Sequence, residues 1–336
     1  MPFDILMTNS LSASDRFDTC FDKHGVAGNS CWLAPHTFVE TGRILAKSLP
    51  PALGRSAESR WRIIESRESA LATQSSVMNV WHYSESGAGR PLILLHGIGM
   101  SHAAWNAVTP HLCATRRVIA FDIAGFGLTP PLANETVPNI PNLVDDLERS
   151  IREIGIPTPV DIAGNSLGGT MALEAARRSI ARSAVAISPP GLWRKNAPRH
   201  IKYVFATLRF MAKRFPRLLR HAMCVPFLKA VALAVPISVG SACMPEADAI
   251  RAVEDLAQST GFEDTFNNTC SPFSAVEIRV PLTVAFGDCD WILTKEARLR
   301  NTLPAHTRWI EMPALGHVPM WVDPIGISRL ILEGTQ

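Results

Sequence analysis

The segment Val160-Asp-Ile-Ala-Gly-Asn-Ser-Leu-Gly-Gly169 predicts both the fold and the chemistry of this chain. A short apolar run ends at Gly164, and a helix-forming run, 171–178, follows the glycines. The segment is typical of a buried strand, a tight turn centred on Ser166 and a helix. In such a turn only small residues fit two positions before and after the centre, where Gly164 and Gly168 stand. The turn would lift the Ser166 hydroxyl above the sheet, at the positive end of the helix.

Seven other stretches of the sequence predict strands. They are Arg62–Ser66, Met78–Ser84, Pro91–His96, Arg117–Asp122, Ala184–Ser188, Leu282–Phe286 and Arg308–Met312. Helical patterns alternate with them, and Leu143, Leu147, Ile151 and Ile154 form one apolar helix stripe. Further helix candidates are 171–178, 294–301 and 324–333. The alternation predicts an α/β fold, a mostly parallel eight-stranded sheet flanked by helices. Active sites in such sheets lie beyond the carboxyl ends of the strands.

Two of these strand ends carry backbone groups suited to acyl chemistry. The strand that ends at His96 leads into a glycine-rich turn, which lets backbone N–H groups point inward. Acyl transfer needs two donors aimed at the oxyanion that develops in the transition state. The N–H groups of Ile98 and Leu167 are the candidates.

The last two strands are followed by candidates for a base and its carboxylate partner. Asp288 and Asp290 follow the strand Leu282–Phe286, and either could orient an imidazole or cap the next helix. His317 follows the final strand and could reach the sheet centre. Serine is a poor nucleophile until a base takes its proton, and the base needs a carboxylate to fix its tautomer.

Five segments in order make the chain resemble the α/β-hydrolase superfamily, of the capped serine hydrolase or esterase type, over about Arg60 to Gly334. They are His96–Gly99, Phe121–Gly127, Gly164–Gly169, Gly287–Asp290 and Gly316–Pro319. The resemblance implies Ser166 as the nucleophile, His317 as the base and Asp290 as the acid, with Asp288 as the alternative. It implies Ile98 and Leu167 as oxyanion donors, and neither a metal nor an organic cofactor.

The resemblance also divides the chain into regions. We expect an α/β-hydrolase core formed by 59–190 and 275–336, with a helical cap over 191–274. The preceding extension, 1–58, has no counterpart in the resemblance, so we expect it either to be poorly ordered or to carry a short docking helix. The cap holds ten Lys or Arg and no Asp or Glu over 194–245. This pattern predicts either a solvated basic face or a basic amphipathic surface that meets an anionic membrane or an acidic substrate.

Composition restricts the class of protein. The net charge of +3 and the lack of a recognition motif argue against nucleic acid as a partner. The seven scattered cysteines form no C-x-x-C, so we expect reduced thiols and a cytoplasmic protein. No basic segment followed by an apolar one marks a secretory signal at the N-terminus.

The sequence therefore predicts a serine hydrolase that cleaves a carboxylic ester of a small, apolar or aromatic substrate through an acyl-enzyme. Two alternatives stay open. The same residues serve hydrolases of carbon–carbon bonds in ring-cleavage products, and a non-enzymatic ligand-binding member could keep the fold. Serine at position 166 argues against the epoxide hydrolase and haloalkane dehalogenase branches, which use aspartate there.

Overall fold

The structure is a computed structural model that describes residues 80–133, 135–195, 197–234 and 241–336. The chain divides into two units, Met1–Val77 and Met78–Gln336, and all described residues belong to the second. The predicted N-terminal extension, 1–58, and the predicted strand Arg62–Ser66 lie outside the described residues.

Seven strands of the described chain form one sheet. They are β1 (Tyr83–Ser86), β2 (Arg90–Leu95), β3 (Arg116–Phe121), β4 (Val160–Asn165), β5 (Ala181–Ile187), β6 (Leu282–Gly287) and β7 (Arg308–Met312). The strand order is β1-β3-β2-β4-β5-β6-β7. Only β1 runs antiparallel to its neighbour, so the predicted mostly parallel sheet is confirmed.

The central strands are apolar on both sides because both faces of the sheet are covered. In β2, Ile93 and Leu95 enter one hydrophobic core, while Leu92 and Leu94 enter a second core on the opposite face. This alternation follows from the two-residue period of side chains in a strand. It explains why a continuous apolar run marks a strand here.

Outside the long connection between β5 and β6, four helices of the described chain accompany the strands. They are α1 (Thr109–Leu112), α2 (Ile140–Glu153), α3 (Leu167–Arg177) and α9 (Pro324–Gly334). The predicted stripe of α2 is buried at Leu143, Leu147 and Ile151. The predicted helix at 294–301 is instead two short 3-10 turns, Lys295–Ala297 and Arg300–Thr302.

The 3-10 turns replace the helix because Leu299 is extended and its N–H donates to a remote carbonyl. The acceptor is the Leu192 oxygen, at 2.8 Å, so this N–H does not continue a helical ladder. A contact from another part of the fold therefore overrides the local helical pattern.

We call the connection between β5 and β6 the insertion, and its described residues form five helices. They are α4 (Arg199–Arg214), α5 (Pro216–Cys224), α6 (Pro226–Ala234), α7 (Glu246–Gln258) and α8 (Phe262–Thr269). The side chains of Ile201 and Ala212 on α4 are buried. No helix among the described residues is long and apolar enough to cross a membrane. The exact cap limits, 191–274, stay a prediction.

One residue of α4 differs from its predicted place on a basic surface. The side chain of Arg209 is buried rather than solvated. Its guanidinium pairs with Glu263 of α8 at 3.0 Å and lies 5.1 Å from the centre of the Phe262 ring. The sequence between 194 and 245 contains no acid, but the fold supplies one from a later helix.

Candidate active site

Ser166 occupies the predicted tight turn between β4 and α3. Its φ of +53° lies in the region that side chains normally avoid. A Cβ atom on Gly164 would stand 2.1 Å from the Gly168 oxygen, and one on Gly168 would stand 2.2 Å from the Leu95 oxygen. Close backbone contacts therefore require glycine at both positions. For this reason the glycines on either side of Ser166 indicate the tight turn in the sequence.

Ser166, His317 and Asp290 form a hydrogen-bonded series. The Ser166 Oγ lies 2.9 Å from His317 Nε2, and His317 Nδ1 lies 2.9 Å from Asp290 Oδ2. All three side chains are buried. The structure thus brings together Ser166, His317 and one of the two candidate aspartates. The other, Asp288, is exposed and makes no contact with the imidazole.

The environment of Asp290 stabilises its anion. Burial alone would raise the carboxyl pKa, but the charge and hydrogen bond of His317 and the N–H of Leu293 outweigh it. The pKa of Asp290 consequently lies below its ordinary value. The N–H groups of Ile292 and Leu293 donate to Oδ1, at 3.0 and 2.9 Å. An ionised Asp290 keeps the His317 proton on Nδ1 and leaves Nε2 to accept the Ser166 proton.

The loop that carries His317 is fixed from two sides. A Cβ on Gly287, at the end of β6, would stand 2.1 Å from the Leu315 oxygen, so glycine permits the loop to approach. The Asn165 side-chain amide donates to the His317 carbonyl at 2.9 Å. Sequence reasoning missed this role of Asn165, because the position between the glycine and the serine carries no requirement in the motif.

Ile98 and Leu167 carry the two backbone N–H groups that the sequence selects as oxyanion donors. As the first residue of α3, Leu167 has no intrahelical acceptor for its N–H. The N–H of Ile98 has no acceptor among the described residues either. Both residues line a cavity with Ser166 and His317. These are the two donors that the sequence selected, and they are available to a ligand oxygen.

The space around Ser166 is small and apolar. Two cavities of about 60 and 40 Å³ meet there and share Ile98, Phe205 and Ile292 as walls. The insertion contributes other apolar walls to one or the other cavity, namely Leu208, Ala252, Leu256, Ile201 and Phe266. The space beside Ser166 therefore suits the apolar groups of a ligand.

Asp122, at the exit of β3, organises the loops next to the site. It is fully buried and accepts hydrogen bonds from the rings of His82 and His102 and from the N–H groups of His102 and Leu128. Burial would raise its pKa, but the hydrogen bonds from the ring and the N–H of His102 and from the N–H of Leu128 hold the pKa far below its ordinary value. His82, His102 and Asp122 carry donor atoms of the type that binds metal ions, all within 4.8 Å of one another. Sequence reasoning missed this cluster, since its members lie far apart in the chain.

His96 connects two strand ends beside this cluster. Its Nδ1 lies 2.7 Å from the Gly97 oxygen, and its Nε2 accepts the N–H of Ile123 at 2.9 Å. Burial lowers the pKa of His96, so the ring is neutral and can accept this bond. The turn that presents the Ile98 N–H is therefore fixed to the neighbouring loop.

The sequence profile of the alpha/beta hydrolase family matches residues 92–327. That range is most of the chain and includes Ser166, Asp290 and His317. The chain belongs to the alpha/beta hydrolase family, and the resemblance inferred from its motifs is confirmed.

Particular relatives are hydrolases of several kinds. Epoxide hydrolase EphH of Mycobacterium tuberculosis is 29% identical over 200 residues, which are 56% of this chain and 91% of that protein. The pimeloyl-acyl-carrier-protein methyl ester esterase of Legionella pneumophila is 35% identical over 105 residues, 31% of this chain and 39% of the esterase. The chain thus matches about two fifths of the esterase's length. Carboxylesterase CesB of Bacillus subtilis has the same fold, with a TM-score of 0.58 and 19% identity over 75% of this chain and 86% of that one. Membership of this family, together with these relatives, shows that the protein is a hydrolase.

Proposed function

We propose that the protein hydrolyses carboxylic esters of apolar or aromatic substrates, with Ser166 as the nucleophile. The observation that carries this proposal is the series of hydrogen bonds from Ser166 through His317 to Asp290, 2.9 Å at each step. A serine hydroxyl placed in this way can lose its proton as it attacks, because the imidazole accepts it and the carboxylate stabilises the resulting cation.

The reaction proceeds in two halves. Ser166 Oγ forms a bond to the ester carbonyl carbon while His317 Nε2 takes its proton, and the carbonyl oxygen becomes an anion bound by the N–H groups of Ile98 and Leu167. The carbon–oxygen bond to the alcohol then breaks, and His317 returns the proton to the departing alcohol. In the second half, water attacks the acyl-enzyme carbonyl carbon while His317 takes a proton from it. The bond to Ser166 Oγ then breaks, His317 returns the proton to Ser166, and the acid is released.

The preference for apolar substrates rests on the walls of the site. The two cavities at Ser166 are bounded mainly by aliphatic and aromatic side chains. The insertion supplies much of this wall, which supports its function as a cap that excludes water from the acyl-enzyme. The esterase relative from Legionella supports ester cleavage as the reaction.

The epoxide hydrolase relative suggests a different reaction, which serine disfavours. The family resemblance implies that epoxide opening uses an aspartate at the turn, where this chain has Ser166. Cleavage of a carbon–carbon bond in a ring-cleavage product is the second candidate, because it uses the same three side chains. A ligand-binding member without activity is disfavoured, since binding alone does not require the hydrogen-bonded series.

We also infer a reducing, cytoplasmic location and no nucleic-acid partner. Among the described residues, Cys113, Cys224, Cys270 and Cys289 are free thiols. Free thiols are typical of proteins kept in a reducing compartment.

The test combines labelling with a substrate panel. A fluorophosphonate probe is expected to label the chain and to leave Ser166→Ala unlabelled. Ser166→Ala should lower kcat for esters by about 10⁴-fold or more, because the three residues act as a unit. The rate of cleavage by the wild-type protein is measured in parallel for esters of graded chain length, an epoxide and a vinylogous diketone. Near-normal ester turnover by Ser166→Ala would refute the assignment, and faster cleavage of the diketone than of every ester would favour the carbon–carbon reaction.

A further inference from the structure

Large apolar side chains of α4–α6 are unusually exposed. Of the twelve large exposed hydrophobic residues of the described chain, seven lie between positions 203 and 231. They are Tyr203, Phe210, Phe215, Leu218, Phe227, Leu228 and Val231. The exposed fraction reaches 73% at Phe227 and 70% at Tyr203. Apolar side chains grouped in this way mark a surface that binds a partner, whereas scattered ones are ordinary. We call the exposed side chains of α4–α6 and of the segment that precedes α4 the outer face.

The outer face is also strongly basic. Six of the ten basic residues between 194 and 245 are exposed and have no acidic partner among the described residues. They are Arg194, Lys195, Arg199, Lys202, Arg214 and Arg217. These cations lie on, between or just before the helices that expose the apolar side chains, and like charges close to one another repel.

The acids of the neighbouring helices do not compensate for this charge. Asp248 and Asp255 of α7 accept hydrogen bonds from Asn106 and Ser101, which lie outside the insertion. Within the described part of the chain, only Glu254 and Glu263 form ion pairs with cations of α4 and α5, namely Arg209, Lys213 and Arg220. The outer face therefore keeps a surplus of positive charge beside its apolar side chains.

We propose that the outer face binds the surface of an anionic lipid bilayer. Cations beside exposed aromatic and aliphatic side chains are the combination that anchors helices in the interfacial plane of a membrane. The cations attract acidic head groups, and the apolar side chains enter the acyl boundary. Each basic residue near such a surface increases partitioning about fivefold, so several together determine binding. The insertion that carries the outer face also lines the cavities at Ser166, and an apolar ester dissolved in the bilayer would be held close to them.

The proposal is tested by vesicle flotation of the full chain carrying Ser166→Ala, so that lipid hydrolysis cannot alter the vesicles. One set of vesicles contains phosphatidylcholine alone, and the other contains equal parts of phosphatidylcholine and phosphatidylglycerol. We expect the protein to float with the anionic vesicles only. Raising NaCl to about 1 M should abolish flotation, because the screening length then falls to about 3 Å.

Charge reversal locates the binding surface. Lys202→Glu, Arg214→Glu and Arg217→Glu together should reduce partitioning by at least about a hundredfold, because loss of the three cations alone removes three times the contribution of one residue on a logarithmic scale and the new carboxylates add repulsion. The matched control reverses three exposed cations outside the outer face, Arg279→Glu, Lys295→Glu and Arg329→Glu, and should bind as before.

A second pair of variants tests the apolar part. Phe227→Ser with Val231→Ser should weaken flotation, whereas Val276→Ser with Ile325→Ser, two exposed residues elsewhere, should not. Far-ultraviolet circular dichroism checks that each variant is folded. If the apolar variants of α6 do not fold, the charge-reversal pair decides the question alone.

Several results would overturn the proposal. These are failure of the chain to float with anionic vesicles, equal flotation with both vesicle types, and equal effects of the two charge reversals. Sedimentation of a dimer that Phe227→Ser with Val231→Ser converts to a monomer, together with absent flotation, would assign the outer face to a second copy of the chain instead. Because the assay measures binding by a protein without Ser166, its outcome is independent of the reaction proposed above.

Discussion

At the residue scale, the unusual feature is the backbone of Ser166. A φ of +53° at a residue other than glycine costs on the order of 1–3 kcal/mol, which the surrounding fold must offset. The offset comes from close packing of β4 and α3 through Gly164 and Gly168, and from the hydrogen bond between the Ser166 N–H and the Ile187 oxygen, at 2.8 Å. The strain places the hydroxyl where His317 can reach it.

The two aspartates after β6 give a prediction at this scale. Asp290→Asn removes the anion that fixes the His317 tautomer, and kcat for ester hydrolysis should fall by about 10²–10⁴-fold. Asp288→Asn is the matched control, because Asp288 is exposed and two residues away. Steady-state kinetics on a short-chain ester checks both. A larger loss in Asp288→Asn than in Asp290→Asn would contradict the assignment.

At the element scale, the sequence predicts correctly the features that depend on neighbouring residues. It fails where residues distant in the chain interact. The β4–α3 turn was predictable because its requirement is local: two glycines must fit around Ser166. The strands were predictable because both faces are buried. The helix expected at 294–301 was wrong because Leu299 bonds to Leu192, more than a hundred residues away. The prediction that Arg209 belongs to a solvated basic surface was wrong for the same reason, because its partner Glu263 lies on another helix.

Two aromatic residues of the insertion give a prediction about elements. Phe205 of α4 and Phe266 of α8 line both the space at Ser166 and an outer groove of about 490 Å³ between the two helices. Their rings are 5.5 Å apart. Phe205→Ala should join groove and site, and raise kcat/KM for long-chain esters by roughly tenfold relative to acetate esters, about 1.4 kcal/mol of transition-state binding.

The control for this prediction is Phe210→Ala, because Phe210 lines the groove but neither cavity at Ser166. Phe205→Trp should shift selectivity towards acetate, since it narrows the passage. Chain-length profiles of kcat/KM measure all three variants. Identical profiles for wild type, Phe205→Ala and Phe205→Trp would show that these aromatic rings do not separate groove from site.

At the scale of the whole molecule, buried carboxylates make stability depend on pH. Asp122 and Asp290 both have pKa values below the ordinary value, so each binds its proton less tightly in the folded state than in the unfolded one. Their contribution to stability is fully present above the unfolded pKa of about 4 and is lost as the pH falls through the folded pKa. The protein should therefore lose stability steadily below about pH 4.

Asp122→Asn tests this dependence. At pH 7 it should lower the free energy of unfolding by about 2–4 kcal/mol, because bonds to a buried anion are replaced by bonds to an amide. The difference from wild type should shrink as the pH falls below about 4. Urea unfolding at pH 7, 5 and 3 measures it, with the exposed Asp264→Asn as the control. If the free energies of unfolding of wild type and Asp122→Asn differ by the same amount from pH 7 to pH 3, the predicted loss of the Asp122 contribution at low pH is wrong.

The position of the insertion has a consequence for how the chain can change. Strands β5 and β6 pair side by side in parallel, although the whole insertion lies between them in sequence. The entropy lost on closing a loop rises only with the logarithm of its length, by about 0.6 kcal/mol for each doubling. Lengthening, shortening or exchanging the helices between these strands therefore costs the sheet little. The surface that selects a substrate can diversify by recombination, while the serine, histidine and aspartate stay where the strands hold them.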